Sequence, residues 1–144
     1  MPMDLRIGEL SEKTGRSVHT IRWYETQGLM PGVARDTGGR RVFSEHHVGW
    51  LNLIDRLRRT GMSIAQLQHY TALVKKGSAT LKERQAMLAA HRAEVEETIE
   101  DWRVALDLID QKIDFYGEWA ATGERPARTP AARGKGARAR RKVG

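Results

Sequence analysis

The sequence has no cysteine among its 144 residues. This absence excludes disulfides, thiolate nucleophiles, zinc–thiolate sites and iron–sulfur ligation, so a metal site would need histidine and carboxylate ligands alone. Long apolar runs are also absent, and the N-terminal stretch MPMDLRIGEL carries charges where an export signal needs an apolar segment. We therefore expect no membrane span, no export signal and a cytoplasmic location.

Glycine and proline are both missing between Glu83 and Gly117. Thr80 and Glu83 have the spacing of a capping box, so a helix is predicted over about 81–121, roughly 60 Å long. From Ile99 onward its apolar residues alternate in steps of three and four, which is the coiled-coil period. A small head cannot bury so long a stripe, so we expect a second copy of the chain to cover it. The predicted dimerisation residues are Leu88, Val95, Ile99, Trp102, Leu106, Ile109, Ile113 and Tyr116.

The net charge of +7 is unevenly distributed along the chain. Residues 1–62 carry +3, residues 63–124 carry −4, and residues 125–144 carry +8. Two basic ends favour a polyanionic partner, and the acidic middle indicates a different role. The tail has two prolines and three glycines with little apolar character, so we expect it to be disordered in isolation. It is either a nonspecific DNA tether or a solubilising end.

Helix ends can be predicted near the start of the chain, because hydroxyl residues precede and glycines follow the periodic segments. A first helix is predicted over about 7–14, before Gly15. Ser17 is the predicted N-cap of a second helix over about 18–27, which ends at Gly28. Two short helices joined by a glycine-containing turn are typical of a helix-turn-helix motif.

The next segment, VARDTGGRRVFS, has two adjacent glycines between stretches that can extend. It predicts a small hairpin, followed by helices over about 45–60 and 64–76. The predicted fold class is therefore mainly α: a winged helix-turn-helix head with a small β wing, and a long C-terminal helix. We expect a DNA-binding domain over 1–76, a dimerisation helix over 80–121 and a basic tail over 122–144.

The second predicted helix has a polar and aromatic outer side. Val18 and Ile21 fall on the side expected to face the core. The remaining side chains are those that pair with guanine or phosphate, donate to phosphates, or touch thymine methyls and sugars. The predicted DNA contacts on this segment are Ser17, His19, Thr20, Arg22, Trp23 and Tyr24. The alternative at this point is that Trp23 and Tyr24 are half-buried surface aromatics that close the core.

Three arginines cluster on the predicted hairpin: Arg35, Arg40 and Arg41. Taken alone, they would best be explained as a solvated surface. Directly after a helix-turn-helix motif, they lie where a wing contacts the DNA backbone, so we predict that they bind DNA.

Four segments carry a family resemblance in order, spacing and residue type. They are IGEL at 7–10, SVHTIRWYETQGLMP at 17–31, GGRRVFSEHHV at 38–48 and RLRRTGMSIAQL at 56–67. Over about the first seventy positions the chain resembles MerR-type transcription regulators, and the long helix is similar to the antiparallel dimerisation coiled coil of that family. The resemblance implies a homodimer on double-stranded promoter DNA that bends and untwists the operator so that RNA polymerase can engage.

Position by position, the resemblance implies groove or phosphate contacts for Arg22 and Tyr24, and it matches Arg41 to the wing arginine. Trp23 stands where the family usually has tyrosine, and Arg40 where it often has an aromatic. The predicted function is thus a sequence-specific transcriptional regulator without enzymatic activity. The alternative is an architectural, largely nonspecific DNA-binding protein driven by the basic tail.

No cofactor or metal is predicted. The side chains of the adjacent His46 and His47 diverge on a helix and cannot readily share one ion. His91 is interpreted as a core or seam histidine. Without cysteine, thiol-based sensing is excluded, which leaves a small-molecule effector in a pocket between the fourth helix and the partner's long helix, a protein partner, or no effector.

Overall fold

The computed structural model describes residues 4–127, so the predicted basic tail lies outside the described residues from 128 onward. The elements run in the order α1 (Ile7–Thr14), α2 (Val18–Thr26), β1 (Ala34–Arg35), β2 (Arg41–Val42), α3 (Glu45–Arg59), α4 (Ile64–Lys75), a 3-10 turn (Gly77–Thr80) and α5 (Leu81–Thr122). The predicted mainly α fold with a two-stranded wing and a long C-terminal helix is confirmed. Within this range no helix combines the length and apolar character needed to cross a membrane.

Local capping interactions set the ends of the first helices. Gly15 follows α1 with a φ of 69°, in the left-handed region that favours glycine. The Ser17 hydroxyl accepts a hydrogen bond from the Thr20 backbone N–H at 3.1 Å and so caps α2. The capping box predicted at Ser63 and Gln66 is present at the start of α4. Thr80, in contrast, donates its hydroxyl to the Leu73 carbonyl at 2.5 Å, so it joins the 3-10 turn to α4.

The wing is a short antiparallel pair in which Ala34 faces Val42 and Arg35 faces Arg41. A bridge between Leu5 and Phe43 extends the pairing, with N–H to carbonyl distances of 2.7 and 2.8 Å. The chain before α1 therefore supports the base of the wing.

The core of the head lies among α1 to α4 and the base of the wing. Its fully buried side chains include Leu10, Ile21, Tyr24, Phe43, Leu51, Ile54 and Leu67. Met87 and Leu88 from the first part of α5 pack against this cluster. Among the described residues, thirteen buried apolar and aromatic side chains form this cluster, and their burial is the main contribution to the stability of the head.

The chain divides into two compact units after Val95. Residues 81–95 of α5 belong to the first unit together with the head. His91 is buried there, and its Nε2 atom lies 2.7 Å from the Thr60 hydroxyl. The interpretation of His91 as a core histidine is thereby confirmed.

Leu88, one of the predicted seam residues, packs within its own chain. It is half-buried against the core cluster of its own head, because the first turns of α5 use the same helical face for packing within the chain. Leu88 therefore contributes to the head, and its place in the dimer seam stays a prediction. The exposed part of the predicted seam begins further along α5.

Candidate nucleic-acid interface

Helix α2 presents a polar side to solvent. Arg22 and His19 are exposed, as is Ser17 at the N-cap, whereas Thr20 is half-buried. The Ser17 and Thr20 hydroxyls lie 2.9 Å apart, so both belong to the capping structure. Arg22 is the side chain on this surface that best matches groove recognition, since guanidinium pairs with guanine edges or phosphate.

Tyr24 does not lie at this surface, which corrects the predicted outward position. Its side chain is fully buried, and its hydroxyl points to Asp55 Oδ1 at 3.4 Å. Tyr24 follows Ile21 by three positions, so both side chains fall on the buried side of α2. Tyr24 is thus one of the residues that fix α2 to the core.

Asp55 on α3 connects this helix to the turn before α2. Its Oδ2 atom accepts from Arg16 Nη2 in the turn before α2 and from Arg59 Nε on α3, each at 2.9 Å. Burial raises the pKa of Asp55, but the hydrogen bond and charge of Arg16, followed by those of Arg59, outweigh it and hold the pKa below its ordinary value of 3.8. The ionised carboxylate therefore fixes the turn of the helix-turn-helix motif to α3.

Trp23 lies between the core and the surface. It is half-buried and meets Tyr24 edge to face at 5.3 Å between ring centroids. The guanidinium carbon of Arg58 on α3 is 4.9 Å from the Trp23 ring centroid, a cation–π distance. Sequence reasoning missed Arg58: three arginines in the last turn of α3 were the available signal, but only packing shows which one reaches α2.

The C-terminal end of α2 is held by the two helices behind it. The Trp50 indole N–H donates to the Leu29 carbonyl at 2.6 Å, and the Gln68 amide donates to the Gln27 carbonyl at 2.9 Å. Both ends of α2 are therefore anchored, which is the rigidity that a helix needs to present side chains to a groove.

The three wing arginines have different surroundings. Arg41 is half-buried, and its Nε atom lies 2.5 Å from Glu25 Oε2, so the second wing strand is paired with α2. Arg35 donates to the Gly39 carbonyl at 2.7 Å and Arg40 is exposed at the loop. The structure thus places the wing beside α2, with Arg35 and Arg40 at the surface.

Asp36 shapes the wing loop. Its Oδ1 atom accepts from the backbone N–H groups of Gly38 and Arg40, and its Oδ2 atom is 2.7 Å from Arg6 Nη2. The Arg40 N–H and the Arg6 side chain lower the pKa of Asp36 below its ordinary value. The loop that carries Arg40 is therefore tied to the segment before α1.

The histidines of α3 have structural partners. His47 is buried, its Nδ1 atom accepts from the Ser44 backbone N–H at 3.0 Å, and its Nε2 atom faces the Pro31 carbonyl at 2.7 Å. Between residues 4 and 127, no three histidine or acidic side chains are grouped to hold a metal ion.

The remaining predicted seam residues lie on the second half of α5 or just before it. Val95 is half-buried, whereas Ile99, Leu106, Ile109 and Ile113 are exposed. Trp102 and Tyr116 are 72% and 57% exposed, which is unusual for large aromatic side chains. This stripe leaves a continuous apolar surface on the single chain.

Two family models match the chain: one described as MerR HTH family regulatory protein over residues 5–73, and one described as MerR, DNA binding over residues 48–112. An uncharacterised HTH-type transcriptional regulator from Haemophilus influenzae is 32% identical over 121 residues, which cover 84% of this chain and 90% of the relative. The chain belongs to the MerR family.

Solved structures of MerR-family proteins have the same fold. HiNmlR, described as a MerR family regulator lacking the sensor domain and bound to promoter DNA, is 32% identical with a TM-score of 0.75; the match covers 85% of this chain and 97% of HiNmlR. A putative MerR family transcriptional regulator from Listeria monocytogenes is 39% identical with a TM-score of 0.77, covering 83% and 90% of the two chains.

Membership in the MerR family confirms the functional class predicted from the sequence. The chain is a sequence-specific, DNA-binding transcriptional regulator, and the architectural, tail-driven alternative is not favoured. The relatives are transcriptional regulators, a class of protein without enzymatic activity.

Proposed function

We propose that this MerR-family chain binds promoter DNA as a homodimer, with α2 of each copy in the major groove and the wing against the adjacent backbone. The observation that carries the proposal is the exposed Arg22 on a helix whose opposite side is fixed by Tyr24 and Asp55. A related structure that matches 85% of this chain, HiNmlR, is bound to promoter DNA.

Within this proposal, the predicted contacts divide by chemistry. Arg22 reads a base edge or a phosphate, and His19 is a second exposed donor on the same helix. Arg35 and Arg40 on the wing contact phosphates, as does Arg58 beside Trp23, and these contacts position the protein without specifying sequence. Arg41 acts mainly through its ion pair with Glu25, which holds the wing at its place beside α2.

Dimerisation is proposed through the apolar stripe on α5. Ile99, Trp102, Leu106, Ile109, Ile113 and Tyr116 alternate in steps of three and four and are exposed in the single chain. A surface of this kind is stable in water once a second helix covers it. Pairing of two copies fixes the distance between the two α2 helices.

The fixed distance between the two α2 helices distorts the operator. When two rigidly linked heads do not match straight duplex, binding must bend or untwist the DNA, and the deformation energy is offset by the added phosphate and groove contacts. RNA polymerase can then engage a promoter whose two recognition elements are too far apart on straight DNA.

The experiment is a selection of bound duplexes from a random pool, followed by footprinting and a circular-permutation assay on the selected site. We expect a two-fold symmetric site, two protected half-sites and a bend located between them. A pool that yields no preferred sequence, or a bound site that stays straight, would overturn the proposal.

A further inference from the structure

Helix α5 has a second apolar face, separate from the predicted seam. Val104, Leu108, Phe115 and Trp119 follow one another at intervals of four, seven and four residues, so they share one side of the helix. Val104 and Leu108 are 40% and 47% exposed. Seam residues such as Ile109 project from a different side of the helix.

The segment that follows α5 already covers one end of the second face. Gly123 ends the helix with a φ of 72°, and its N–H donates to the Trp119 carbonyl at 2.9 Å. Beyond the helix, the Arg125 guanidinium carbon lies 5.7 Å from the Trp119 ring centroid and 6.0 Å from that of Phe115. Phe115 is only 8% exposed. A basic side chain on aromatic rings is thus the first contact of the segment that leads into the tail.

A row of acidic residues, the acidic row, lies beside the second apolar face. Glu100, Asp107 and Asp114 are spaced seven residues apart, so they form a straight row on the helix, and all three are exposed. Residues 128–144 contain seven Lys and Arg residues and no acidic residue. The row and the tail therefore have complementary charges.

We propose that the basic tail, residues 128–144, docks on this face of its own α5, against the apolar side chains and the acidic row, and that DNA competes with α5 for the tail. The reach is sufficient: seventeen residues span up to about 56 Å, whereas the helix between Phe115 and Glu100 is about 23 Å long. The covalent link keeps the tail at a high effective concentration near α5.

The docking has a consequence for DNA binding. Exposed ion pairs are individually weak, so the tail leaves α5 when a phosphate backbone offers more charge and releases counterions. While docked, the tail contributes no phosphate contacts. The acidic row therefore lowers the affinity of the protein for non-operator DNA. The contacts made by α2 then determine sequence specificity.

The placement of the tail is tested without DNA. Because the chain has no cysteine, Ala139→Cys takes a single nitroxide label, and amide line broadening in the full-length protein reports which residues the tail approaches. We expect broadening around Val104 to Phe115 at low salt and its loss at about 1 M salt, where the Debye length is about 3 Å.

Two triple variants provide the matched comparison. The acid-neutral variant is Glu100→Gln, Asp107→Asn and Asp114→Asn. The control variant, Glu9→Gln, Glu12→Gln and Glu83→Gln, removes the same charge from exposed residues of the first unit. We expect the acid-neutral variant to lose the broadening and the control variant to keep it.

Two results would overturn the proposal. One is unbroadened α5 amides, or broadening that is equal in the acid-neutral variant. The other comes from a mixture of isotope-enriched chain without nitroxide and nitroxide-labelled chain without isotope. If the α5 amides broaden as much in this mixture as in the doubly labelled chain, the tail lies on another copy. None of these readouts involves DNA, so failure here leaves the proposed function standing.

Competition is measured on a non-operator duplex by fluorescence anisotropy at low salt. We expect the acid-neutral variant to bind about threefold to tenfold more tightly than the control variant. In a chain that ends at Ala127 this difference should disappear. An equal gain in the shortened chain would mean that the acidic row acts on DNA directly and not through the tail.

Discussion

The Asp55 carboxylate and the Arg16 guanidinium lie 2.9 Å apart, between Oδ2 and Nη2, and both side chains are largely buried. Arg16 also donates to the Thr14 carbonyl and to Asn52 Oδ1, each at 2.9 Å. One ion pair therefore fixes the turn between α1 and α2 to α3. The orientation of the exposed side of α2 depends on this contact.

Asp55→Asn should destabilise the head. The substitution keeps the shape of the side chain but leaves Arg16 without its buried counter-charge, and breaking one partner of such a pair costs about 3 kcal/mol. Urea unfolding at one fixed protein concentration measures the free energy of unfolding. Asp110→Asn, at an exposed position of α5, is the control and should change it little. Equal stability of the two variants would contradict this account.

The pH dependence of stability follows from the lowered pKa values of Asp55 and Asp36. A carboxyl group whose pKa is lower in the folded state stabilises the fold fully above its unfolded value, near 3.8, and this stabilisation is lost as the pH falls through the folded value. We expect the free energy of unfolding to fall steeply toward about pH 3. Asp55→Asn should make that decline shallower; an identical decline in both proteins would show that Asp55 does not contribute.

Tyr24→Phe tests whether the Tyr24 side chain serves only the core or whether its hydroxyl contacts DNA. The ring stays buried and one long hydrogen bond to Asp55 is lost, so stability should fall by less than about 1 kcal/mol. Affinity for the selected operator should change by no more than about 0.5 kcal/mol. A folded Tyr24→Phe protein with much weaker operator binding would mean that the hydroxyl contacts DNA.

Ile109→Asp tests the proposed seam. A carboxylate in a buried apolar seam is strongly unfavourable, so we expect monomers in sedimentation velocity and weak operator binding. Ala93→Asp, on the opposite, exposed side of α5, adds the same charge and should leave the dimer intact. Persistence of the Ile109→Asp dimer would place the interface elsewhere.

Much of the head could be predicted because its determinants are local. Ser17 and Gly15 set helix ends through their own backbone and their near neighbours, so α1 and α2 were predicted to within one residue. Gly39 of the wing loop, with a φ of 78°, acts in the same local way.

The errors came from contacts between distant parts of the chain. A helical wheel puts Tyr24 at a border, but its ring packs into the core of the head, where its hydroxyl meets Asp55, thirty-one residues away. Arg58 reaches Trp23 for a comparable reason. The packing of Leu88 against its own head was likewise not predicted, because the periodicity of a seam residue also suits packing within the chain.

The central claim is that Arg22 on α2 reads operator DNA, and its direct test is the operator affinity of Arg22→Ala compared with Arg103→Ala. Both substitutions remove one exposed arginine, and the Arg103 side chain on α5 is 72% exposed. We predict a loss of about 1–3 kcal/mol for Arg22→Ala at the selected operator, a smaller loss on non-operator duplex, and little change for Arg103→Ala. Equal operator affinity of Arg22→Ala and Arg103→Ala, with the same footprint, would contradict the account.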